Sequence, residues 1–179
     1  MAELWDVYDS NKNVTGKLVE RDIYKFQKGE YYLITVAVIM NSKKQILIAK
    51  RSESKKREPL KWELSGGGVR AGENSLQAIL RELTEEVGLK FSVDEAILLK
   101  ELKKEKENGA GNFKDFWLFK TDIKAEDVTF PDNEATEAKW VTINELLEMV
   151  ENEEIISGLD FVRKDFELAI EKSQYSKKA

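Results

Sequence analysis

Three glutamates and an arginine lie close together in the run RELTEEVG, at Arg81, Glu82, Glu85 and Glu86. On a helix, the spacings i, i+3 and i+4 make the carboxylates of Glu82, Glu85 and Glu86 converge on one side. Carboxylate oxygens suit Mg²⁺ and Mn²⁺. Cations held there neutralise charge on a diphosphate, lower the pKa of a bound water and align it for in-line attack. The spacing therefore suits metal-assisted cleavage of a diphosphate.

The residues around this cluster have the pattern of a helix. Asn74 and Gln77 form a capping-box sequence at its start, and Gly88 can end it in a left-handed conformation. Between them, apolar residues recur at steps of three and four, at Leu76, Ile79, Leu80, Leu83 and Val87. This spacing gives one apolar face, and the arginine and the glutamates project away from it.

The acidic cluster is unfavourable for helix stability alone. Glu85 and Glu86 fall in the last turn, where the helix dipole disfavours an anion by ~0.3–1 kcal/mol. Glu82 and Glu86 also repel each other at i, i+4. A solvated acidic face is the usual explanation of such a charge run. Here the flanking glycines and Arg81 favour a bound cation instead.

The stretch GGGVRAGENSLQAILRELTEEVGL resembles the signature of Nudix hydrolases, because residues 67–89 match each fixed position of that pattern. The resemblance implies that Glu82, Glu85 and Glu86 ligate Mg²⁺ or Mn²⁺ and that Glu82 or Glu85 is a candidate general base. The backbone carbonyl of Gly66 commonly serves as a further metal ligand in the family. Arg81 would have an orienting role, bridging Glu73 and Glu85.

A glutamate beyond the signature often joins the metal site or acts as the base in this family. The stretch NEATEAKW offers Glu134 and Glu137, and we prefer Glu134 as the catalytic candidate. An exposed acid on a strand edge is the alternative interpretation for either residue.

Several residues could contact a substrate. Gly67 and Gly68 permit close backbone approach to phosphates, and Arg51 and Arg70 could meet phosphate charge. Phe113 and Trp117 could stack on a base, although an aromatic residue in a strand more often belongs to the core. The sequence does not distinguish recognition of adenine, guanine, sugar or inositol.

Strand patterns surround the helix, at residues 5–9, 17–22, 31–40, 46–51, 96–104, 112–121 and 135–141, and residues 61–65 lead into the glycines. Helical periodicity follows at residues 144–151 and 159–172. These patterns alone indicate an α/β or α+β protein, and the Nudix resemblance implies an α/β/α sandwich around a mixed sheet. We expect one domain over residues 1–179, with an N-terminal extension (1–30), a core (31–150) and a C-terminal helix and tail (151–179).

Composition excludes several chemistries. The chain of 179 residues contains no histidine and no cysteine, so Cys/His zinc sites, Ser-His-Asp triads and thiol catalysis are ruled out. The net charge of −5 disfavours nucleic acid as a partner. No apolar run is long enough to span a membrane, and no signal-peptide pattern opens the chain. We therefore expect a cytoplasmic protein.

The opening residues ELWDVYDSNKNVTGK resemble the N-terminal extension of the isopentenyl diphosphate isomerase-like branch of the family. True isomerases require a catalytic cysteine and histidine ligands, so isomerase activity is disfavoured here. The leading hypothesis is a divalent-metal-dependent pyrophosphohydrolase that cleaves a nucleoside diphosphate linked to another group. The alternative is a catalytically silent nucleotide- or metabolite-binding module, and the acidic charge argues against RNA decapping. A homodimer is a further hypothesis, with the N-terminal extension or residues 159–172 as the interface.

Overall fold

The computed structural model describes residues 3–156 and 159–175. Within these ranges, nine strands form one mixed sheet and three α-helices pack against it. The strands are β1 (Leu4–Tyr8), β2 (Val14–Glu20), β3 (Tyr31–Met40), β4 (Ile46–Arg51), β5 (Trp62–Glu63), β6 (Gly66–Gly68), β7 (Ile97–Glu105), β8 (Gly111–Lys120) and β9 (Ala135–Val141). The α-helices are α1 (Ser75–Val87), α2 (Ile143–Glu151) and α3 (Arg163–Tyr175).

Strand β3 is the centre of the sheet. It pairs in parallel with β8 along its whole length, from Tyr31 opposite Gly111 to Met40 opposite Lys120. It also pairs antiparallel with the short glycine strand β6. Both faces of β3 are covered, and this explains why its sequence is almost continuously apolar rather than alternating.

Two apolar layers lie on opposite faces of the sheet. Odd-numbered residues of β3, such as Ala37 and Ile39, pack with Ile79 and Leu83 of α1. Even-numbered residues, such as Val38, pack with side chains of α2 and α3 on the other face. The predicted α/β/α sandwich around a mixed sheet is therefore confirmed.

The N-terminal hairpin of β1 and β2 extends the sheet beyond β3. Its turn begins one residue earlier than the sequence indicates, because the Asp9 carboxylate accepts hydrogen bonds from the N–H groups of Asn11 and Asn13. β2 consequently covers Val14–Glu20 instead of the predicted 17–22. The indole of Trp5 stacks on Tyr32 at the start of β3, with ring centroids 5.0 Å apart.

The C-terminal helix starts later than its periodicity predicts. Helical spacing begins at residue 159, but α3 begins at Arg163. Three residues before it, Asp160 has a left-handed conformation (φ 57°), and its carboxylate is held by Lys104 and Lys114 on the sheet. A left-handed residue interrupts a right-handed helix, so α3 starts only after it. No α-helix in the described residues is long and apolar enough to cross a membrane.

Candidate active site

Helix α1 begins and ends where the sequence predicts. The Asn74 side chain accepts a hydrogen bond from the N–H of Gln77, and the Gln77 side chain accepts one from the backbone N–H of Asn74. Gly88 ends the helix with a left-handed φ of 64°. Thr35 of β3 donates its hydroxyl to the carbonyl of Ser75, 3.1 Å away. The start of α1 is thereby fixed on the central strand.

A cavity of about 410 Å³ lies beside the glycine strand β6. One end of it, which we call the acidic end, is formed by Glu63, Glu82, Glu86 and Glu134 together with Gly66 and Gly67. The other end, which we call the amide end, is formed by Tyr32, Ile34, Arg57, Lys104, Asn112 and Lys114. Apolar side chains of Val36, Leu64, Ile156 and Leu159 also line the cavity.

Glu86 is a buried acid of this site, with 9% exposure, the same as Glu63. Glu86 lies off the apolar stripe of α1, and it is buried there because the glycine strand covers that part of the helix. The Glu86 carboxylate accepts a hydrogen bond of 3.0 Å from the N–H of Gly66. Burial raises the pKa of Glu86 well above its usual range, and the charges of Glu63 and Glu82 raise it further.

Glu82 approaches the glycine strand from α1. A Cβ atom on residue 67 would lie 2.5 Å from Oε1 of Glu82, so only glycine leaves room for this carboxylate. Burial raises the pKa of Glu82, and the neighbouring guanidinium of Arg81 opposes that effect. Buried Glu86 and partly buried Glu82 therefore face one cavity.

Arg81 holds the acidic residues around it in place. Its Nε donates to Glu73 at 2.8 Å, and its Nη1 donates to Glu82 at 2.7 Å and to Glu85 at 3.2 Å. Burial alone would lower the pKa of Arg81, but the hydrogen bond to Glu73 and the charge of Glu82 outweigh it and raise that pKa. The structure thus places Arg81 between Glu73 and Glu85, as the sequence predicts.

Glu85 lies on the outer side of Arg81. It also pairs with Arg70 at 3.3 Å and does not line the cavity. The expected convergence of Glu82, Glu85 and Glu86 is therefore incomplete. Within residues 3–156 and 159–175, no group of three or more acidic side chains is already arranged to hold a metal ion.

The donor atoms of the acidic end nevertheless fit a hard divalent cation. Glu63, Glu82 and Glu86 all have raised pKa values, chiefly because they are buried. A nearby cation favours the charged form of such carboxylates and would offset the effect of burial, most of all at Glu86, which has no arginine partner in the described residues. The side chains in this described part of the chain offer oxygen ligands and neither imidazole nor thiolate, a donor set that suits Mg²⁺ or Mn²⁺.

The predicted basic contacts are already paired with acids. Nη1 of Arg51 lies 2.7 and 2.9 Å from the two carboxylate oxygens of Glu63, so Arg51 lines the cavity but neutralises a buried acid. Arg70 lies outside the cavity lining, between Glu3 and Glu85.

The predicted catalytic residue Glu134 does line the cavity. It is half-exposed there and contacts Lys55.

The predicted aromatic contacts also lie elsewhere. Phe113 is 6% exposed and packs against Tyr31, with ring centroids 5.2 Å apart. Trp117 donates its indole N–H to the hydroxyl of Ser75 at 3.3 Å. Both side chains face α1, because odd-numbered residues of β8 point to that layer, so base stacking by them is not supported. Gly68 packs against Trp5, and its carbonyl accepts a hydrogen bond from Arg81.

The sequence analysis missed Glu63 and the whole amide end. Glu63 had a visible signal, since it is an acid within the otherwise apolar segment WEL before the glycines. Tyr32 and Asn112 carried no such signal in the sequence, because they become neighbours only through the parallel register of β3 and β8.

A glutamate-bearing helix behind a glycine strand, on a mixed sheet between helical layers, is the arrangement of a Nudix hydrolase. The chain belongs to this family, since the family model of the NUDIX domain matches residues 31–158. Nudix hydrolases act on diphosphate bonds and generally use divalent metal ions.

Individual relatives agree with this assignment. The chain is 35% identical to an uncharacterized Nudix hydrolase of Listeria monocytogenes over 145 residues, which is 80% of this chain and 82% of the relative. It is 39% identical to the CTP pyrophosphohydrolase of Escherichia coli over 62 residues, 35% of this chain and 45% of that one. A crystal structure from Deinococcus radiodurans matches its fold with a TM-score of 0.74 at 23% identity, covering 90% of this chain and 98% of the other.

Proposed function

We propose that this protein is a Mg²⁺- or Mn²⁺-dependent pyrophosphohydrolase whose substrate is a nucleoside diphosphate linked to another group. The observation that carries the proposal is the pair of carboxylates, buried Glu86 and partly buried Glu82, at the end of a cavity beside a glycine strand. A relative named as a CTP pyrophosphohydrolase supports a nucleotide substrate, although the match covers only 62 residues.

Each residue of the acidic end has a role in this proposal. Glu82 and Glu86 would hold the cation, and the absence of a side chain at Gly67 lets phosphate oxygens approach it. The cation would neutralise phosphate charge and lower the pKa of the attacking water. Arg81 fixes the position of Glu82 through its hydrogen bond. The backbone carbonyl of Gly66 stays a predicted further ligand.

The proton of the attacking water requires an acceptor. Glu134 is our first choice, because it lines the cavity just before β9 and is half-exposed. Glu82 is the second choice. Glu85 is less well placed than either, because it lies outside the cavity lining.

A metal-dependent hydrolysis screen tests this function. The purified protein is incubated with Mg²⁺ or Mn²⁺ and a panel of nucleoside tri- and diphosphates, dinucleotides, nucleotide sugars and coenzyme A. We expect cleavage of a nucleoside-containing diphosphate that requires metal and is lost in Glu82→Gln. Glu167→Gln, the same change at an exposed site on α3, is the matched control.

The screen also distinguishes the proposed hydrolase from the alternative, a catalytically silent binding module. A binding module that has lost catalysis would show no product with any compound, while a nucleotide would still raise its melting temperature. Equal turnover in wild type and Glu82→Gln would contradict the assignment of the acidic end.

A further inference from the structure

One buried amide at the cavity is not used by the proposed chemistry. Asn112 of β8 lines the cavity and is 7% exposed. Its side chain makes no hydrogen bond to any residue in the described ranges. Every fully buried side-chain nitrogen or oxygen in those ranges has a hydrogen-bond partner. Because the Asn112 side chain has none, its polar atoms cannot be fully buried and must be accessible to solvent. The cavity provides that access.

The neighbours of Asn112 form a fixed wall. Tyr32 lies directly opposite it in the parallel register of β3 and β8. The Tyr32 ring is held by stacking on Trp5 and by a tilted contact with Phe26, whose centroid is 4.9 Å away. The amide end therefore combines a rigid aromatic surface with one hydrogen-bond acceptor and two N–H donors on a single side chain.

Apart from the guanidinium of Arg57, for which the described residues show no ion pair, the cations at this end are paired with carboxylates, and this favours an uncharged group. Lys104 and Lys114 line the cavity, but both ammonium groups contact the carboxylate of Asp160. Arg21 is likewise paired, with Glu3 at 3.0 Å. A second phosphate at the amide end would have to compete with these carboxylates, whereas a neutral heterocycle would not.

The two ends are separated along one strand. Val36 lies opposite Gly66, whose N–H binds Glu86, and Tyr32 lies four residues earlier on β3. At the usual rise of a strand, this places the ends ~13 Å apart. A diphosphate at the acidic end would direct an attached sugar and base toward Tyr32 and Asn112.

We propose that Asn112 determines base specificity, with its amide hydrogen-bonded to the edge of the nucleobase of a nucleoside diphosphate substrate. An amide places an acceptor beside a donor, which matches base edges that present a donor beside an acceptor. Tyr32 forms the wall that aligns the base. This inference rests on the proposed function, since it takes the acidic end as the diphosphate site.

The first test needs no variant. Wild-type kcat/KM in Mg²⁺ is measured for nucleoside diphosphates linked to one common group, such as glucose, with each common base, and for ribose 5-diphosphate, which lacks a base. We expect a base-containing compound to be preferred by tenfold or more, in keeping with ~1–3 kcal/mol for one bidentate contact. Equal values would overturn the role of Asn112 and leave the hydrolase assignment intact.

Substitution then identifies the residue. Asn112→Leu keeps the approximate volume and should raise KM for the preferred nucleotide about tenfold, with a much smaller change in kcat. Asn112→Asp removes the N–H donors and should shift the preference toward bases that present a donor, such as cytosine. Asn11→Leu, the same change at an exposed turn residue, is the control. An unchanged base ranking in both Asn112 variants would refute the inference.

Binding keeps the inference testable if no diphosphate is cleaved. In that outcome the proposed function fails, and calorimetry with ADP and CDP in Ca²⁺ compares wild type with Asn112→Leu. Weaker binding by the variant supports base recognition by Asn112, and equal binding overturns it. Circular dichroism melts of each variant establish that it is folded.

Discussion

The acidic end and the amide end of the cavity are built in different ways. Glu82 and Glu86 come from one turn of α1 and from its contact with the neighbouring glycine strand. Tyr32 and Asn112 are eighty residues apart in the chain and meet because β3 and β8 pair in parallel. One end is set by spacing within a helix, and the other is set by the register of a sheet.

In our proposal these two ends have different functions: the acidic end carries the reaction, and the amide end recognises the base. Glu82 and Glu86 of the acidic end belong to one short motif. Their arrangement therefore needs only a glycine strand followed by a helix. The amide end depends on which residues happen to lie opposite each other on two distant strands. Substitutions there can change the lining of the amide end without altering the carboxylates that we propose as cation ligands.

The largest expected effect is on the acidic end alone. We predict that Glu82→Gln lowers kcat by ~10²–10⁴. It should leave the melting temperature unchanged or higher, because it removes a buried charge whose pKa is raised by burial. Steady-state kinetics and thermal melts measure both effects, and a large loss of stability would show that Glu82 is structural.

A second change tests what holds the acidic end together. Arg81→Ala leaves Glu73, Glu82 and Glu85 without their shared cation, and the guanidinium is mostly buried. We predict a loss of about 3 kcal/mol in the free energy of unfolding, as for other buried pairs that lose one partner. Urea denaturation measures it, and Arg81→Lys should lose less because it keeps the charge.

A smaller effect is expected where α1 begins. Asn74→Ala removes the N-cap and should lower the free energy of unfolding by about 1 kcal/mol. Because the amide end lies on other elements, the ratio of kcat/KM between nucleoside diphosphates and ribose 5-diphosphate should stay constant. Asn74→Asp keeps a cap and serves as the control. A changed ratio would show that the two ends are not independent.

The smallest effect concerns the segment over the amide end. Burial raises the pKa of Asp160, but hydrogen bonds from Lys104 and Lys114 outweigh it and lower that pKa below its ordinary 3.8. Asp160→Asn removes this charge and tolerates the left-handed backbone. We predict a loss of up to ~1 kcal/mol at pH 7.

The pH dependence of that loss gives a sharper test. A lowered carboxyl pKa stabilises the fold above the ordinary value, and the contribution disappears as pH falls through the folded pKa. The stability difference between wild type and Asp160→Asn should therefore be constant near neutral pH and narrow below pH ~4. Denaturation at pH 7 and pH 3 measures it, and a difference that widens in acid would contradict the ion-pair explanation.

Local patterns allowed much of this molecule to be predicted. The capping box at Asn74, the end of α1 at Gly88 and the order of the strands all follow from residues close in sequence. The burial of Glu86 could not be predicted, because helical periodicity does not show that a glycine strand will cover the polar side. Phe113 was proposed as a ligand contact for a similar reason, since alternation defines two faces of β8 without indicating which face meets α1.

The position of β3 has one further consequence. This strand passes beside both ends of the cavity, with Val36 next to the glycine strand and Tyr32 next to Asn112. Because β3 is paired with β6 and β8, it cannot stretch, and the distance between Val36 and Tyr32 is fixed. A ligand that reaches both ends would be selected by its length as well as by its chemistry. One extra phosphate would move the scissile bond away from the carboxylates of the acidic end.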